Sequence, residues 1–160
     1  MENVTSFSWL NTRGDDTSFL TGNSVGGMVH RFTASSTTLL VGDAVFLAGV
    51  GIVDKSATAA NYVGFLGYVV GGQSNAFRTA DAVGTTAATS GQGVMVQYTG
   101  VARAIVGATG FVAGTNFNAV PSAATAGRII PGTTADQRVG VVTSTQATAG
   151  SEVRVLVKHF

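Results

Sequence analysis

Val41-Gly42-Asp43-Ala44-Val45-Phe46-Leu47, then Gly51-Ile52-Val53, then Tyr62-Val63-Gly64-Phe65-Leu66-Gly67-Tyr68-Val69-Val70 is a run of Gly-led turns, each opening into a short apolar strand. The pattern is written again, more loosely and with a small insertion near Pro121. There it reads Ala113-Gly114-Thr115-Asn116-Phe117, Gly127-Arg128-Ile129-Ile130 and Arg138-Val139-Gly140-Val141-Val142. In each copy a Gly-led turn enters a first strand, a second Gly-led strand follows, and a Val-Gly-apolar strand closes the unit. A β-rich building block used twice is the expectation, with pseudo-repeats at about 41–70 and 113–142.

Outward from these copies, two segments alternate in the manner of half-buried strands. Val94-Met95-Val96-Gln97-Tyr98 is one, and Glu152-Val153-Arg154-Val155-Leu156-Val157-Lys158 is the other, with Val153, Val155 and Val157 on a single face. No stretch combines an apolar 3.6-residue period with caps and good helix formers over three turns. Ser56 to Ala60 and Ala80 to Ala88 read as loops within a Gly/Thr/Ala-rich insertion and its surroundings. The expected fold class is therefore all-β, a small sandwich or barrel (β-tulip-like) with an internal duplication and an extended N-terminal arm. Residues 1–37 form the arm, polar and rich in Ser, Thr and Asn, and residues 38–160 form the β-rich domain.

Composition narrows the functional classes. Only 11% of the residues are charged, against about 25% in ordinary soluble domains, so an oligomer or a partner surface is expected to cover part of the exterior. Glycine is abundant, at 22 of 160 residues, as tight turns between short strands require. The net charge is +1 and the basic residues are scattered singly, which gives no footprint for nucleic acid. Cysteine is absent, which excludes disulfides and thiolate chemistry. The N-terminus is acidic where a signal peptide would be basic, and no long uncharged apolar run follows, so neither a signal peptide nor a membrane partner is expected.

Several motifs suggest catalysis and fail on context. Gly22-Asn23-Ser24-Val25-Gly26 matches a nucleophile elbow, yet the following Met28 to Thr33 alternates like a strand where a hydrolase needs a helix. His30 and His159 have no ligand partner at metal-binding spacing, and Asp15-Asp16 lacks the calcium-loop pattern. No Gly-Lys-Ser/Thr phosphate loop occurs. The chain is thus expected to be no enzyme, with no catalytic residue, cofactor or metal.

Four segments resemble the tailed-bacteriophage capsid decoration, or cement, proteins. Val41 to Leu47 followed by Gly51 to Ala57 is similar to their G-D-x-V-x-L…G-x-V-x-x-A signature, and Gly93 to Ala102 to their central strand. Ala126 to Pro131 and Arg138 to Val142, ending in Gly150 to Val157, resemble their C-terminal half. The resemblance covers roughly residues 38 to 160. It implies a homotrimer on the outer capsid surface of the virion, bound to the major capsid protein and stabilising the shell without catalysis.

The candidate capsid-contact residues are the separated anchors of the arm, Phe7, Trp9 and Arg13, followed by Phe19 and Phe32. Large aromatics repay the ordering of such a segment when they enter pockets, although they equally serve a domain's own core. Arg103, Arg128 and Arg138 are candidates for bonds between subunits or for solvated strand ends. The alternative is a receptor- or glycan-binding trimeric fibre head, for which Tyr62, Tyr68 and Tyr98 would be the sugar-stacking candidates.

Overall fold

The computed structural model describes residues 28–55, 64–72, 82–112, 117–133, 137–144 and 147–157. No described residue is α-helical. The first half of the chain contains β1 (Val29–Ala34), β2 (Leu39–Leu40), β3 (Ala44–Gly49), β4 (Ile52–Lys55), β5 (Phe65–Gly72), β6 (Thr86–Ala88) and β7 (Gly93–Gln97). The second contains β8 (Val101–Ile105), β9 (Asn118–Pro121), β10 (Ile129–Pro131), β11 (Gly140–Val142) and β12 (Glu152–Val157). The all-β expectation holds.

Strands β1-β4-β3-β5-β7 form a closed five-stranded barrel, and β10-β9-β11-β12-β8 form a five-stranded sheet in the same relative order. The agreement extends to register. Ala44 faces Tyr68 and Val45 faces Gly67, as Asn118 faces Val141 and Ala119 faces Gly140. Val69 faces Val96 as Val142 faces Val155, and Phe32 faces Val94 as Ala104 faces Val153. The barrel closes where β1 runs parallel to β4. The second sheet has one parallel bridge at the corresponding place, Val106 to Ile129. The β2–β6 pair, Leu39 opposite Ala88, likewise has a counterpart in the antiparallel bridge of Phe111 and Ala147.

Two features differ from the sequence reading. Val29–Ala34 was assigned to the arm, but it is the strand that closes the barrel, pairing with β4 on one side and β7 on the other. Its apolar residues are sparse because it contributes few side chains to a core only five strands across. The Val-Gly-apolar match also shifts, since Gly67, not Gly64, occupies the place of Gly140. Thr86–Ala88, read as loop, is a short strand.

The barrel is filled by Ala34, Leu39, Val45, Val53, Val69, Ala88, Val94 and Val96. In the same order of register, the second sheet buries Val106, Phe111, Ala119, Ile129, Val142, Ala147, Val153 and Val155. Small β-branched residues dominate because a narrow, strongly coiled sheet leaves little room inside and favours stiff side chains on its pleat. β12 alternates exposed and buried along its whole length, as its sequence period predicts.

The halves are not interchangeable where they meet. At the β1 positions opposite Val96 and Val94 stand His30 and Phe32, and the corresponding residues of β8 are Ala102 and Ala104. The space those alanines leave is part of a core that also takes in Ala44, Phe65 and Tyr68 from the first half. Tyr68 is fully buried, its ring edge-on to Phe65 at 5.4 Å, and its hydroxyl donates to the Val139 carbonyl at 3.4 Å. One strand thus serves two cores, Val69 pointing into the barrel and Tyr68 into the second sheet. Burying a side chain of this size contributes about 2–3 kcal/mol.

Candidate interaction surfaces

Of the residues singled out as capsid contacts, Phe7, Trp9, Arg13 and Phe19 lie outside the described residues, as do Ser24, Asp15, Asp16, Tyr62 and His159. Phe32 belongs to β1, is half-buried against the barrel core, and meets the His30 ring edge-on at 5.4 Å. Its principal work is therefore packing within the barrel. His30 is exposed, and among the described residues no group of three or more His, Cys, Asp or Glu is placed to hold a metal ion. Tyr68 is withdrawn from any surface role by burial, which pushes its phenol far above the usual range; Tyr98 is half-buried.

The arginines are engaged within the chain. Arg103 is buried, with Nη1 at 3.8 Å from Glu152 Oε2. Arg138 Nη1 donates to Asn118 Oδ1 at 2.9 Å, bracing the start of β9. Arg128 stands near Asp43 at the seam between the halves.

Asp43 is the chemically distinctive residue of that seam. It lies in the turn before β3 and is fully buried. Oδ2 accepts from the Leu40 amide at 2.8 Å and lies 3.4 Å from Lys55 Nζ, while Oδ1 has no hydrogen-bond partner. Burial raises its pKa from 3.8, and the Leu40 amide, Lys55 and Arg128 only partly offset that. Oδ1 is aimed at Gly127, whose φ is +84°; a Cβ there would come within 2.4 Å of it. The next amide, Ala44 N–H, donates to the Gly127 carbonyl at 2.8 Å. Together these contacts join the loop preceding β10 to the first half and form a structural clasp.

Two exposed apolar patches stand out among the described residues. At the tip of the β3–β4 hairpin Leu47 is 46% exposed, Val50 103% and Ile52 38%, and no charge occurs between Asp43 and Asp54. On the outer face of the second sheet Val141 and Leu156, paired across β11 and β12, are 37% and 48% exposed. Neither patch was singled out by sequence reasoning. Leu156 was legible as lying on the polar face of its strand, but only the fold shows that it neighbours Val141.

The described residues thus form a closed β-barrel joined to a second sheet of the same register, with two apolar patches on the exterior. No protein-family model matches the chain, and no curated protein matches it. Among solved structures, the N base of the head fiber protein gp8.5 of bacteriophage phi29 is similar, with a TM-score of 0.52 over 82% of this chain and 94% of that one. The two sequences are 12% identical, so the likeness is one of fold.

Proposed function

We propose that this chain is a structural protein of a tailed-phage virion that binds the outer surface of the icosahedral head and stabilises it, without catalysis. The observation carrying this is the fold shared with the phi29 head-fiber base across most of both chains. The decoration-protein resemblance of residues 41–57 and 93–102 and the low charge of the exterior point the same way. The partners in this reading are the major capsid protein and two further copies of the chain in a homotrimer. Binding is multivalent, with weak contacts repeated over the shell adding to a stable coat. Phe7, Trp9, Arg13 and Phe19 remain its candidate anchors.

A fibre role is the second reading, favoured by the neighbour's being the base of a head fiber. A receptor- or glycan-binding function would then be carried by surfaces other than Tyr68. Co-sedimentation with DNA-filled and empty heads of the source virus tests the proposal. The full chain is expected to sediment with both, and the Phe7→Ala/Trp9→Ala variant to bind at least tenfold more weakly. A full chain that remains in the supernatant while labelling host cells or a glycan array would overturn decoration in favour of the fibre reading.

A further inference from the structure

We propose that the segment Asp15-Asp16-Thr17-Ser18-Phe19-Leu20 folds back onto the second sheet of its own chain, with Phe19 and Leu20 on Val141 and Leu156 and the two acids beside Arg154. Three observations name this occupant: where the N-terminal segment joins the barrel, how far it reaches, and the order of its residues. Met28 continues the β1–β7 ladder, its carbonyl accepting from Tyr98 N–H at 3.0 Å and its amide donating to Thr99 Oγ1 at 2.7 Å. Val101 comes two residues after Thr99 and stands directly opposite Leu156, which is itself opposite Val141. The first 27 residues therefore join the molecule beside the row Val101-Leu156-Val141. The other apolar patch is at the far end of β1, where Thr33 N–H meets the Gly51 carbonyl.

Reach is ample. Leu20 precedes Met28 by eight residues, which span up to about 26 Å when extended. From Thr99 the path to Val141 is about 7 Å along β8 and about 5 Å across each of two strand spacings, roughly 17 Å in all. The order of residues also corresponds. Going away from Met28, the sheet presents its apolar row first and then Arg103 opposite Arg154, while the chain presents Leu20 and Phe19 first and then Asp16 and Asp15. Like charges directly opposite are unfavourable on a sheet. Glu152 stands 3.8 Å from Arg103, and two further carboxylates beside Arg154 complete the balance. Covering Val141 and Leu156 from within the chain also avoids the entropic cost of bringing in a second molecule.

The contact is internal to one chain and does not rest on head binding. It turns Phe19 toward its own domain and leaves Phe7, Trp9 and Arg13 to meet the capsid. Cysteine is absent from the chain, so disulfide trapping reports on introduced pairs alone. In the purified full chain, Leu20→Cys with Val141→Cys is expected to close an intramolecular disulfide at least about tenfold faster than Leu20→Cys with Val50→Cys, because docking raises the local concentration of the paired thiols. Asp15→Lys/Asp16→Lys in the first pair should slow closure by about two- to fivefold, and Arg154→Glu in the same chain should restore it. Equal rates for the two cysteine pairs, or no disulfide in either, would overturn the proposal. So would a disulfide-linked dimer from the Leu20/Val141 pair, which marks exchange of the segment between copies. A closure rate indifferent to the charge changes would overturn the placement of the acids.

Discussion

Gly67 and Gly140 show how narrowly single positions are constrained. A Cβ on Gly67 would stand 2.1 Å from the Gln97 carbonyl oxygen, and one on Gly140 2.3 Å from Val155 Cγ1 and 2.8 Å from the Leu156 oxygen. Both sit where the third strand of the unit crosses its neighbour, and backbone atoms on the far side have nowhere to go. Gly67→Ala is expected to cost about 2–3 kcal/mol in urea unfolding, typical of an overpacked core. Gly84→Ala, where the Cβ would meet nothing within 4 Å, should cost less despite its positive φ.

Asp43 yields a prediction with a sign. Its folded pKa is raised above 3.8, so the folded state holds the proton more tightly than the unfolded one. Its contribution to stability is complete below pH 3.8 and is lost as pH rises through the raised folded value. The stability of wild type relative to Asp43→Asn should therefore fall with rising pH across that interval, measured by urea unfolding at several pH values. The opposite slope would mean that Lys55 and the Leu40 amide outweigh burial. Gly42-Asp43 was visible in the sequence as one of its Gly-led turns. Its burial was not, because the loop that covers it comes from more than eighty positions later in the chain.

Among the strands, the telling comparison is β1 with β8. Register puts Phe32 and Ala104 in equivalent places, and the smaller residue belongs to the sheet that receives Tyr68. Ala104→Phe is expected to destabilise by about 1–3 kcal/mol, because the added ring competes with Tyr68 for one volume. Tyr68→Ala alone should cost about 3–5 kcal/mol. Combined, the two should cost less than their sum by at least about 1 kcal/mol in a double-mutant cycle, whereas strict additivity would show that they do not share the space. Strand existence at this level was legible for β3, β4, β5, β7 and β12, whose alternation is local. β1 was legible as an alternating segment but was placed in the arm, and β6 was read as loop, because the place of each is decided by partners elsewhere in the chain.

In the molecule as a whole, the halves are unequal partners. The barrel closes on its own eight core residues, but the second core includes Phe65 and Tyr68 from the first half. Residues 98–160 alone are expected to be unfolded by near-ultraviolet circular dichroism, and to regain structure when the first half is added. An independently folded second half would show that its alanine-lined space collapses without Tyr68.

Alternating apolar residues between Gly-led turns were enough to establish a β-rich chain, its strand faces and the loose likeness of its two halves, since strand period and turn chemistry are properties of a few consecutive residues. The pairing of Val29–Ala34 within the barrel, the register of the repeat and the two exposed patches came from tertiary structure alone. Gly67-Tyr68-Val69 and Gly140-Val141-Val142 occupy the same place in the same pattern, yet Tyr68 is buried and Val141 is exposed. Burial depends on which distant surface arrives to cover a strand, and local sequence carries no record of that.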